Sequence, residues 1–229
     1  MQNNKNFVIT TFIVFSISFV LAAYIALKPV VLNIPSDISP KVKLSKDDIK
    51  FCETSPYRKI VDALNTGRFS ITSKTDKGET ALMIAVLKNP YLRSIQTLID
   101  AGSDVNNKKN DGQSILMVAA QSLKNLDIIN LLLKAGADIE AKDKNGQTAL
   151  MYAVLNNKNI EIVDTLINAG ANINTQDNKG KTALIHVSEK GKNEKIIDKL
   201  IQAGADESIK DENGKTAREY REKNKNGSL

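Results

Sequence analysis

The side chains able to do chemistry are few. The 229 residues hold one histidine, His186, one cysteine, Cys52, and no tryptophan. One of each cannot build a His/Cys metal cluster or an intrachain disulfide, and a nucleophile–base pair would have to run through His186. A shift of 34 residues places His186 on Tyr152, Val118 and Ile84, a position of varied chemistry with no partner constellation. It reads as a groove-wall or surface histidine. Cys52 has Lys46, Lys50 and Arg58 near it in sequence. A redox role needs an exposed, electropositive thiol, and Cys52 is read as an ordinary one. The acidic pairs Asp47-Asp48 and Asp211-Glu212 fall on expected caps and turns, where they serve helix ends rather than a catalytic dyad. Met83, Met117 and Met151 recur at one register, as core residues do. Phosphate-loop, dinucleotide and zinc-protease motifs are absent. The expectation is a non-enzyme without cofactor, metal or small-molecule substrate.

The elements that carry these residues repeat. Gly78, Gly112, Gly146, Gly180 and Gly214 are 34 apart, and so are the pairs Ala101-Gly102, Ala135-Gly136, Ala169-Gly170 and Ala203-Gly204. The triplets Ile95/Leu98/Ile99, Ile129/Leu132/Leu133, Val163/Leu166/Ile167 and Ile197/Leu200/Ile201 keep the same period, each an i, i+3, i+4 stripe on one helix face. Such an array buries its apolar faces on its neighbours. In each unit a Gly-x-Thr/Ser step caps a first helix and a short polar loop follows. A second helix then ends at Ala-Gly, and a polar segment of about ten residues turns at pairs such as Asn145-Gly146. Ser45 to Asp48 has the form of a capping box, which predicts a helix from about Lys46.

Gln147-Thr148-Ala149-Leu150-Met151-Tyr152-Ala153 and Ala135-Gly136-Ala137-Asp138-Ile139-Glu140-Ala141-Lys142-Asp143 resemble the ankyrin-repeat motif over about Arg68 to Lys223. The resemblance implies an all-α ankyrin solenoid of helix-turn-helix units with hairpin loops, acting in protein–protein recognition. Departures from the family pattern are Met83, Met117, Met151 and Ile185 for its usual His, and Ala81, Ile115, Ala149 and Ala183 for its usual Pro. They predict apolar packing in place of a polar capping network. The family's turn-opening Asp is present as Asp143, Asp177 and Asp211 but is Thr75 and Lys109 earlier, and its buried Val is Glu207 in the last unit. Thr216 to Tyr220 reads as a polar C-terminal cap.

In the family, finger tips and adjoining first-helix ends line the binding groove. By resemblance that groove here includes Lys74, Lys77, Lys108, Lys142, Lys144, Lys179, Lys181, Lys210 and Lys215. With the neighbouring groove positions it carries eleven lysines against five acids, so an acidic protein partner is expected.

The organisation expected is a transmembrane segment (1–28), a linker (29–44), a degenerate N-terminal half-repeat (45–67), five repeat units with the last as cap (68–223) and a tail (224–229). Phe7 to Leu27 is an uncharged run of 21 residues. As a helix it would span about 31 Å, the thickness of a bilayer core. That predicts a single-pass anchor preceding the solenoid. The alternative is a cleaved signal peptide and secretion, although the cleavage candidate Val20-Leu21-Ala22 is mediocre and the run is long for one. Lys28, Lys41, Lys43 and Lys46 lean towards a cytoplasmic repeat domain, whereas the short N-terminal tail leans the other way, so the side stays open. Abundant Asn, Lys and Ile look like the product of an AT-rich bacterial genome and suggest an inner membrane. The net charge of +6 and pI near 9.2 would suit a polyanion. Nucleic acid is nevertheless disfavoured, since stacking platforms and an Arg-rich run are missing. A structural envelope scaffold without a discrete ligand, or a weak binder of polyanions or phospholipid surfaces, are the other readings.

Overall fold

The computed structural model describes residues 43–226 except 69, 90, 123–124, 157–159 and 192. Among the described residues there are eleven helices and no strands. They are α1 (Lys46–Thr54), α2 (Tyr57–Asn65), α3 (Ala81–Lys88), α4 (Leu92–Asp100), α5 (Ile115–Ser122), α6 (Leu126–Lys134), α7 (Ala149–Asn156), α8 (Ile160–Asn168), α9 (Ala183–Lys190), α10 (Glu194–Gln202) and α11 (Ala217–Asn226). The helices form two layers. The first helices α1, α3, α5, α7, α9 and α11 pack each on the next, and so do the second helices α2, α4, α6, α8 and α10. Units one to four are the pairs α3–α4, α5–α6, α7–α8 and α9–α10, and unit five contributes α11. The pair α1–α2 precedes them.

The two layers are built differently. Ala81 to Val86 in α3 are all buried, because a first helix is enclosed by its neighbours and its own second helix. The second helices are amphipathic. Ile95 and Leu98, Ile129 and Leu132, Val163 and Leu166, and Ile197 and Leu200 are fully buried, each contributing about 1.5–3 kcal/mol. The third member of each triplet, Ile99, Leu133, Ile167 or Ile201, is only half-buried.

The ends of the helices behave as their residues dictate. Thr80, Ser114 and Thr182 accept the amides of Met83, Met117 and Ile185 at 3.3 Å. Ser45 and Asp48 form the expected capping box at the start of α1. Second helices close in a left-handed glycine: Gly102 donates to the Ile99 carbonyl and Ser103 to that of Leu98, a pattern repeated at Gly136, Gly170 and Gly204. Gly67 and Arg68 make the same pair of bonds after α2.

Candidate interaction surface

Between consecutive helix pairs the chain forms a finger, a tight turn in which the amides of Thr75, Lys109, Asp143, Asp177 and Asp211 donate to carbonyls four residues on. Each finger is bonded to the one before it. Asn110, Lys144, Asn178 and Glu212 donate their amides to the carbonyls of Lys77, Asp111, Asn145 and Lys179 at 2.9–3.3 Å. This contact explains the glycine period. Gly146 has φ +76, and a Cβ there would lie 2.8 Å from the Asn178 amide nitrogen. Gly214, with no described finger after it, would meet nothing within 4 Å.

Side chains complete the ladder. Asn110 and Asn178 donate to the carbonyls of Asp76 and Lys144 at 2.7 and 2.9 Å. Lys108 Nζ donates to the Lys142 carbonyl at 2.8 Å, Lys142 Nζ to that of Gln176 at 3.1 Å, and Gln176 Nε2 to that of Lys210 at 3.2 Å.

Inside fingers three to five lies a polar hub. Asp143 Oδ1 accepts the amides of Asn145 and Gln147 at 2.9 and 2.8 Å, while Oδ2 accepts the Tyr152 hydroxyl at 2.9 Å. Gln113, from the preceding finger, also donates to that hydroxyl at 2.9 Å. Asp211 repeats the arrangement with Asn213, Lys215 and Tyr220, whose hydroxyl is 2.6 Å away. In unit four the ninth residue on is His186, with Nε2 2.8 Å from Asp177 Oδ2, while Oδ1 accepts the amides of Lys179 and Lys181. The sequence reads His186 as a groove-wall or surface histidine with no partner constellation; it is buried and partnered by Asp177, which corrects the surface placement and the missing partner. The hubs equally correct the expectation that apolar packing alone replaces polar capping. Burial holds the imidazole below its ordinary pKa, against the opposite pull of Asp177. Burial pushes the Tyr152 phenol up to about 12. The bond to Asp211 does the same for Tyr220, to about 12. A neutral histidine bonded to Asp177 Oδ2, while Oδ1 holds the two turn amides, is placed to fix the finger.

Cys52 is fully buried, and burial pushes its thiol up to about 12, so it is no activated nucleophile. Among the described residues no group of His, Cys, Asp and Glu could hold a metal ion. Met83, Met117 and Met151 lie in the core.

Fingers and helix pairs in this order, held by bonds between consecutive fingers, accord with the comparison against family models. The family model described as ankyrin repeats (3 copies) matches residues 52–143 and 136–211. The chain belongs to the ankyrin-repeat family. No curated protein matches it. Ankyrin repeats point to a role in protein–protein interaction and are typically non-enzymatic scaffolds.

On this ankyrin array Lys74, Lys77, Lys108, Lys142, Lys144, Lys179, Lys210 and Lys215 are exposed on the fingers. They differ in what holds them. Lys108 and Lys142 are tied into the ladder, as described above. Lys181 is half-buried and paired with Glu189 at 2.7 Å. It and Lys215 also lie 5.7 and 5.6 Å from the Tyr220 ring. Lys144 and Lys179 have no ion-pair partner among the described residues. The sequence reading missed the hubs, although a signal was present: Asp143, Asp177 and Asp211 each have Tyr or His nine residues on, whereas Thr75 and Lys109 have Ile84 and Val118. The segment Phe7–Leu27 lies outside the described residues, among which no helix is long and apolar enough to cross a membrane.

Proposed function

We propose that this ankyrin-repeat protein is a single-pass membrane protein, anchored by Phe7–Leu27, that captures an acidic protein partner on its finger tips. The observation that carries the reading is Lys144 and Lys179, exposed on consecutive fingers whose backbones are bonded together at Asn145 and Asn178. The bonded backbones fix the spacing of the two lysines, so only their side chains need order when carboxylates meet them. Their field raises the encounter rate and weakens with salt.

The test is a double reversal, Lys144→Glu with Lys179→Glu. Lys142 is left alone because its ammonium bonds the Gln176 carbonyl. Proximity labelling in the native cell identifies the neighbours, and capture of the labelled partner by the purified protein is then compared at low and moderate salt. Loss of capture by the double variant, with a wild-type melting profile, supports the reading. Capture equal to wild type at low ionic strength sinks the basic-finger proposal. For the anchor, complete release by alkaline carbonate, or a mature N-terminus near Ala23, would reject the membrane span.

A further inference from the structure

The edge of the array opposite the fingers, where first helices hand over to second helices, changes chemistry along the stack. At the 34-residue register the chain reads Pro56-Tyr57 and Pro90-Tyr91, then Lys124-Asn125, Lys158-Asn159 and Lys192-Asn193. Asn125 and Asn193 cap their helices by accepting amides, whereas Pro56 and Tyr91 make no side-chain cap. The first turns of α6, α8 and α10 carry Asp127, Glu161 and Glu194, the sign that suits a helix start. Those of α2 and α4 carry no acid and instead present Arg58, Lys59 and Arg93, all exposed. The first two helix starts thus depart from what would stabilise them, a departure that points to use.

These residues form one patch. Arg93 lies 4.2 Å over the Tyr57 ring, linking the two neighbouring units, and Arg58 Nε donates to the Tyr57 hydroxyl at 3.1 Å. Tyr91 and Leu92, 49% and 38% exposed, are the exposed large hydrophobic side chains of the described residues. Aromatic rings and a leucine among three cations, with no acid in residues 56–59 or 91–93, are the chemistry of a surface that meets anionic headgroups.

We infer that Tyr57, Arg58, Tyr91, Leu92 and Arg93 form a docking patch for an anionic lipid surface. The inference rests on the reading of Phe7–Leu27 as a membrane span. The rings and Leu92 enter the interfacial zone, the guanidinium groups pair with lipid phosphates, and the finger tips at the other ends of α1 and α3 stay free for a partner.

The full chain is reconstituted into lipid discs of phosphatidylcholine alone and of phosphatidylcholine with phosphatidylglycerol, and amide hydrogen exchange is followed by mass spectrometry. Each cation near an anionic surface strengthens docking about fivefold. Exchange at 57–59 and 91–93 should therefore slow on the anionic discs, and Arg58→Glu with Arg93→Glu, which removes two cations and adds two anions, should weaken docking by more than about 25-fold. Unchanged exchange in α5 to α8 shows that the variant is folded, and Tyr91→Ser with Leu92→Ser tests the apolar half separately. Equal exchange on both discs, or slowing that survives the double reversal, overturns the patch while the chain remains in the discs. A chain washed out of the discs by carbonate overturns the span and the patch together.

Discussion

Thr75 and Lys109 open the first two fingers, whereas Asp143, Asp177 and Asp211 open the last three, and the residue nine positions on differs in step. Ile84 and Val118 follow the first two, and Tyr152, His186 and Tyr220 follow the others. All five of these follow-on residues are buried. In finger one the Thr75 hydroxyl accepts the amides of Lys77 and Glu79 at 3.2 and 3.1 Å and needs nothing from the helix. In finger two Lys109 Nζ donates to Gln113 Oε1, and Asp111 accepts the Gln113 amide instead. A buried carboxylate has more acceptor capacity than the turn can satisfy, so in the later units the first helix must supply a donor. The same backbone turn is thus held locally in the front units and by a tertiary hydrogen bond in the back ones. The front fingers should tolerate change, and the back fingers should weaken most when their carboxylate is lost.

The largest expected effect tests whether the two halves are one cooperative stack. Leu132 in α6 stands at their junction, and emptying its site by Leu132→Ala should cost about 2–5 kcal/mol in a urea titration. Leu200→Ala should cost less, because no second helix packs beyond α10 among the described residues. Equal losses at both sites would contradict nearest-neighbour stacking.

The hub contrast is tested next. Asp143→Ala removes the acceptor of two turn amides and of the Tyr152 hydroxyl proton and should cost about 2–4 kcal/mol, whereas Thr75→Ala should cost about 1 kcal/mol. If the two are equivalent, the hubs add nothing to their fingers. Tyr152→Phe should remove about 1 kcal/mol from the wild type and almost nothing once Asp143 is alanine, a non-additivity that a double-mutant cycle reads directly.

His186 should give the back half a pH dependence that the front half lacks. Its folded pKa lies below the unfolded value of about 6.5, so the neutral ring's contribution is complete above that pH. It is lost as pH falls through 6.5 towards the folded value. The charged groups acting on it are Asp177, Lys181 and Glu189. Thermal melts from pH 7.5 down to 5.5 should show the loss. His186→Tyr, which installs the hub of units three and five, should flatten this limb while leaving the neutral-pH melt nearly unchanged. An unaltered acid limb in that variant would place the titration elsewhere.

The smallest effect is the control for binding. Lys144→Glu with Lys179→Glu should change stability by no more than about 0.5 kcal/mol per site, as surface changes do. A larger loss would show that these lysines hold the ladder rather than wait for a partner.

Much of this was legible in the sequence because it depends on contacts within one unit. The 34-residue period, the hydroxyl caps, the Ala-Gly ends and the buried pairs Ile129/Leu132 and Val163/Leu166 follow from helix geometry and glycine's access to positive φ. The capping box at Ser45 placed α1 for the same reason. What only the tertiary structure decided is the fate of polar groups whose partners lie nine or 34 residues away. Lys108 and Lys142 look like any exposed finger lysine, yet their ammonium groups bond the next finger's carbonyls, while Lys144 and Lys179, two residues or fewer from a ladder bond, stay exposed. His186 looked solitary until the fold carried it to Asp177. A residue's type states how many hydrogen bonds it must make, but the identity of the partner depends on how successive units stack, and that is a property of the packed array.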